Sequence, residues 1–116
     1  MANFLFVYRG DNNAYQTLTP DEMQRIMQKW NDWIGEAMRK GWMVDAGDAL
    51  KPEGRVVNSK RVVTDGPFVE SKEILGGYSI VQAETIDAAA EFAKGCPALL
   101  TGGTVEVRPL AGLAAK

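Results

Sequence analysis

Asp65, Glu70 and Lys72 fall within one short stretch, Val62-Val63-Thr64-Asp65-Gly66-Pro67-Phe68-Val69-Glu70-Ser71-Lys72-Glu73, which runs on into Ile74-Leu75-Gly76-Gly77-Tyr78. Two carboxylates near an ammonium suit catalysis in which Asp65 or Glu70 is the general acid or base and Lys72 an electrostatic stabiliser. The same groups suit the binding of a small polar or anionic molecule. Lys72, with Arg61 or Arg108, would pair with an anion, Tyr78 would supply a hydroxyl and a ring wall, and Asp65 would orient a donor. A structural account also covers the stretch. Gly66-Pro67 constrains a turn because proline fixes its own φ and pushes the preceding residue out of the helical region. Asp65 would then bond to nearby backbone amides and Phe68 would anchor the loop in the core. Lys72-Glu73 reads equally as a solvated charge pair, and Glu106 with Arg108 as cross-strand or interface partners.

The residues that are missing narrow the chemistry further. The chain has no histidine, so a Ser-His-Asp triad, a Cys-His pair and a histidine-bearing zinc site are excluded within it. Its single cysteine, Cys96, allows neither an intrachain disulfide nor a CxxC centre, which favours a cytoplasmic location. Between Gly95 and Pro97, Cys96 reads as a small buried filler. Asp45 and Asp48 are close in sequence without the pattern of a metal site, and no metal is expected. Gly76-Gly77 and Gly102-Gly103 lack the context of a phosphate loop, and no cofactor is expected.

At 116 residues the chain is read as one domain spanning 1–116, with 110–116 as a flexible tail. Hydrophobic residues make up 46% and charged residues 24%, the balance of an ordered globular protein. A net charge of -2 and a pI near 5.1 give no electrostatic reason to expect nucleic acid or an anionic membrane. The basic cluster Lys51, Arg55, Lys60 and Arg61 reads as a solvated hairpin. Met1 to Val7 is apolar, but Arg9-Gly10-Asp11 follows too soon for a signal peptide, and no window approaches a membrane span.

Several elements are needed to position these groups. Phe4 to Tyr8 is expected as a strand with two apolar faces. Thr19-Pro20-Asp21-Glu22 marks a helix start, with a capping threonine, a proline at the first position and a glutamate three residues past the cap. Met23, Ile26, Met27, Trp30, Ile34, Ala37 and Met38 recur at helical spacing with Trp33 at the stripe's edge, and Gly41 ends the helix. A strand begins at Trp42 and continues irregularly towards Leu50. Arg55-Val56-Val57 and Arg61-Val62-Val63 form a hairpin around Asn58-Ser59-Lys60. Gly77 to Gln82 is a central strand with Tyr78 and Ile80 on one face and Ser79 and Val81 on the other. A second helix runs from Thr85 to Gly95, and Thr104 to Arg108 is a last strand that sets Val105 and Val107 against Glu106 and Arg108. This order predicts an α+β sandwich of ferredoxin-like type, an antiparallel sheet with both helices on one face. Pairing of the uncovered sheet faces in a homodimer would remove apolar surface from water.

The stretch Asp65-Gly66-Pro67-Phe68 is accompanied by Glu70, Lys72-Glu73, Leu75-Gly76-Gly77-Tyr78, Pro20-Asp21-Glu22-Met23, Gly95-Cys96-Pro97 and Val105-Glu106-Val107-Arg108-Pro109. In their order and spacing these residues resemble the YCII-related family, in the branch named for its Asp-Gly-Pro-Phe signature. The resemblance implies a ferredoxin-like fold that dimerises through its sheets into a dimeric α+β barrel, with an active-site cleft near the dimer interface. Some members carry a histidine and aspartate pair, and this chain has no histidine to match it. Some relatives are associated with extracytoplasmic-function sigma factors, an association that brings no DNA-binding surface to this acidic chain. Three readings therefore stand: a homodimer binding a small polar or anionic molecule near Asp65-Gly66-Pro67-Phe68, a histidine-independent enzyme using a carboxylate, and a structural or regulatory homodimer without a ligand.

Overall fold

The computed structural model describes residues 1–11, 17–51, 53–65 and 73–113. The expected start of the long helix α1 (Pro20–Lys40) is present in full. Thr19 Oγ1 accepts from the Glu22 amide at 3.1 Å, and Glu22 Oε1 accepts from the Thr19 amide at 3.0 Å. This reciprocal capping box satisfies two backbone donors that the helix cannot. The pair of bonds also holds the Glu22 carboxyl below its ordinary pKa. At the other end Gly41, at φ 86°, closes the helix in the left-handed conformation that glycine adopts without a Cβ clash.

Among the described residues there are also six strands and a second helix. They are β1 (Ala2–Asp11), β2 (Met43–Ala49), β3 (Arg55–Val57), β4 (Val63–Asp65), β5 (Glu73–Ala83), α2 (Ile86–Ala93) and β6 (Thr104–Pro109), with a short 3-10 helix at Pro97–Thr101. The main sheet has the order β2-β5-β1-β6 with every neighbour antiparallel. With the β3–β4 hairpin inserted between β2 and β5, this is the βαββαβ arrangement expected from the sequence. β1 and β5 extend well beyond the apolar segments that announce them, because each is paired over its length with the other.

Strand alternation divides the sheet into two unlike faces. Phe4, Phe6 and Tyr8 share one face with Ser79 and Val81 of β5 and with Val105 and Val107 of β6, and both helices cover it. Leu5 and Val7, with Tyr78 and Ile80, lie on the other face. There Glu106 accepts from Arg9 and Arg108, each at 3.2 Å, and these two guanidinium groups, Arg108 foremost, hold its carboxyl below the usual range.

The core is aromatic, and its arrangement corrects one expectation. Trp33 is at the centre of the packing and not at the edge of the helical stripe: it stacks on Phe6 at 6.4 Å and meets Tyr8, Trp30 and Trp42 at tilted or edge angles. Met27 and Met38, expected within the stripe, are about half exposed. The reason is the size of the indoles. Trp30 and Trp33 reach the sheet from a helix whose Cα atoms stay more than 8 Å from those of β1 and β5, so the flanking methionines do not descend to it.

The hairpin differs from its sequence reading in register. Asn58 Oδ1 accepts from the amides of Lys60 and Val62, and Arg61 takes φ 66°, so Arg61 and Val62 belong to the turn and β4 begins at Val63. Asp65 is accordingly a strand residue. Among the described residues the hairpin packs against no other element, and Val56, Val57, Val62 and Val63 remain between 41 and 63% exposed. Residues 66–72 and 114–116, which include most of the signature loop and the end of the expected tail, lie outside the described residues.

Candidate functional site

The packing that buries the aromatic core also leaves a space at one end of it. Tryptophans on α1 prop the helix away from the sheet, while β2 and β5 present small residues opposite, Ala46 and Gly47 on one strand and Gly76 and Gly77 on the other. The result is a cleft of about 610 Å³, walled by Met27, Trp30 and Ile34 on the helix side. That volume is within the range of small-molecule sites. Gly47 permits the close approach of its wall. It sits at φ 66°, where a Cβ would overlap the Tyr78 carbonyl oxygen.

One polar relay stands at the inner wall. β2 is irregular in its pairing with β5 between Asp45 and Asp48, so Ala46 has no paired residue on β5. Ser79, fully buried, donates to the Ala46 carbonyl at 2.7 Å, and the Tyr8 hydroxyl donates to Ser79 Oγ at 2.7 Å. Burial drives the Tyr8 pKa far above its ordinary value, so the phenol stays protonated. Tyr8 and Ala46 line the cleft, with Ser79 behind them. Tyr8 also lies edge-on to Trp30 at 5.0 Å, which fixes the ring.

The described residues among those singled out from sequence are not gathered at one point. Asp65 ends β4 with a side chain 98% exposed and pairs loosely with Arg55 at 3.7 Å. Arg61 is in the hairpin turn. Arg108 is on the edge strand β6, bonded to Glu106. Of these described residues and Tyr78, only Tyr78 lines the cleft, although strand alternation sets its side chain on the face opposite Ser79. Glu70 and Lys72 lie outside the described residues. In the sequence, residues 66–72 immediately precede Glu73, and Ile74 to Tyr78 form part of the cleft's lining.

Tyr8 and Ser79 carry the polar geometry, and only a weak signal marks them in the sequence. Ser79 is a lone hydroxyl on a strand face shared with Val81, where a buried polar group must find a partner. Tyr8 closes an apolar run. Their meeting depends on the β1–β5 register. Cys96 is buried, as its sequence context suggests, and burial pushes its thiol pKa up to about 12. Asp45 and Asp48 bond instead to the amides of Gly47 and Ala49, both at 2.8 Å. Among the described residues no three metal-ligating side chains cluster, and no helix is long and apolar enough to cross a membrane.

Known proteins similar to this chain give it a family. A protein of Rhizobium meliloti described as uncharacterized is 31% identical over 114 residues, covering 88% of this chain and 86% of its own length. Among solved structures, a 5-chloro-2-hydroxyhydroquinone dehydrochlorinase from Burkholderia phenoliruptrix, in complex with 2,5-dihydroxybenzoquinone, covers 89% of this chain and 90% of its own. At 18% identity and a TM-score of 0.37, that likeness is too distant to bear on fold or ligand. The YCII-related domain matches residues 4–112, nearly the whole chain. With the match to the Rhizobium protein, this places the chain in the YCII-related domain family.

Proposed function

We propose that this chain is a cytoplasmic homodimer of the Asp-Gly-Pro-Phe branch that binds a small polar molecule in the cleft between α1 and the sheet. The observation that carries the binding reading is the cleft: about 610 Å³, walled on its helix side by Met27, Trp30 and Ile34 with the polar Asn31, and with a buried hydroxyl relay beside it. Pockets of this kind, mostly apolar with a few fixed polar groups, are the common form of small-molecule site. The signature loop joins the reading through chain continuity, since residues 66–72 end where the cleft's β5 wall begins. The branch is supported by the signature in the sequence and the Leu75-Gly76-Gly77-Tyr78 that follows it. A homodimer is supported by the sheet face opposite the helices, where Leu5 and Ile80 are part-exposed and Tyr78 is exposed. The lone buried cysteine supports the cytoplasmic location.

A thermal-shift screen against metabolites and inorganic anions tests this, on protein whose mass in solution has been fixed by light scattering. Compounds that raise the melting temperature are expected. Met27→Trp adds bulk at a half-exposed position of the cleft wall and is expected to weaken those compounds about tenfold or more. Asp65→Asn, on the exposed hairpin, is expected to leave them unchanged. Hits insensitive to Met27→Trp and abolished by Asp65→Asn would move the site to the hairpin and contradict the cleft. A screen without hits would favour a structural or regulatory dimer.

A further inference from the structure

The hydrogen-bond chain at the inner wall has a fixed direction. A backbone carbonyl can only accept, so the 2.7 Å contact between Ser79 Oγ and the Ala46 oxygen uses the serine's one proton. Ser79 then has only lone pairs left for Tyr8, and the 2.7 Å contact between them uses the Tyr8 proton. Both protons are thus committed, one to Ser79 and one to the Ala46 carbonyl. What remains at the phenol is oxygen lone-pair density, on a ring that Trp30 holds in place.

Resting on the cleft reading above, we infer that the Tyr8 hydroxyl is a dedicated hydrogen-bond acceptor and that the cleft selects ligands presenting a neutral hydroxyl or N–H donor on an apolar body. A ketone, ether or carboxylate oxygen directed at the same point would meet lone pairs with lone pairs. To donate to such a group, Tyr8 would have to break its bond to a fully buried serine, leaving Ser79 short of a partner. The irregular stretch of β2 is the origin of the selectivity, because it carries the Ala46 carbonyl that sets the direction. Met27, Trp30 and Ile34 supply apolar contact for the rest of the ligand.

A matched pair of probes reads this polarity: naphthol and the methoxynaphthalene of the same substitution pattern, which share a ring system and differ in the donor. Affinities come from calorimetric titration, and the site from backbone amide shifts. Wild type is expected to bind naphthol on the order of five- to tenfold more tightly than its methyl ether. Tyr8→Phe keeps the ring and is expected to reduce that ratio to within about twofold by weakening naphthol, the ether's affinity staying nearly unchanged. Equal affinities in wild type, with amide shifts at Gly47, Gly76 and Gly77 for both probes, would overturn the inferred polarity and leave the cleft reading standing. A ratio that survives Tyr8→Phe would also overturn it, by assigning the selection to another group. Binding of neither probe at the cleft would overturn the cleft reading and this inference with it.

Discussion

Phe6→Ala is expected to destabilise the protein by about 3–5 kcal/mol, a large part of the 5–15 kcal/mol typical of a domain. Phe6 is 0% exposed, stacks on Trp33 at 6.4 Å and meets Trp42 and Tyr8 at 6.3 and 6.5 Å. Truncation removes the transfer free energy of the ring and leaves a void among three large side chains that cannot close over it without leaving their rotamers. The neighbouring Leu5→Ala is on the opposite sheet face, where Leu5 is only partly buried, and is expected to cost about 1 kcal/mol. Urea unfolding of the two variants compares the faces directly. Similar losses for Phe6→Ala and Leu5→Ala would show that the aromatic face is not the core.

Gly47→Ala is expected to cost about 3 kcal/mol or more and to weaken ligand binding at the same time. Two effects combine: a left-handed backbone conformation disfavoured for any residue with a Cβ, and overlap of that Cβ with the Tyr78 carbonyl. The overlap is with backbone of the central strand β5, so β2 must move. Any such movement carries away the adjacent Ala46 carbonyl that anchors the relay. Gly41→Ala is the control, at φ 86° with nothing within 4 Å of its Cβ, and is expected to cost about 1 kcal/mol. Equal losses at the two glycines would mean that β2 and β5 are not in this close approach.

Much of this architecture is legible in the sequence because local rules and tertiary packing agree. The capping box at Thr19 and Glu22, the Val105/Val107 alternation and the Gly41 stop each carry their own signal, and the element order fixes the topology. Trp33 is misread because a helical stripe gives a direction but not the reach of an indole. The hairpin register is misread because the Asn58 side chain, not the valine run, decides where the turn ends. The cleft is the least legible part. Charged residues near a Gly-Pro turn draw attention to Asp65, whereas the polar device in the cleft consists of one tyrosine and one serine 71 positions apart, joined by strand pairing and a bulge. No local pattern announces that a serine on β5 will donate to the Ala46 carbonyl.

The most direct measurement is an amide chemical-shift map of the nitrogen-labelled protein titrated with naphthol. The cleft account predicts shifts at Gly47, Asp48, Gly76 and Gly77 and along α1 near Trp30, with Val56, Val57, Val63 and Asp65 of the hairpin unmoved. Shifts confined to the hairpin, or to Leu5, Ile80 and Glu106 on the opposite sheet face, would contradict it.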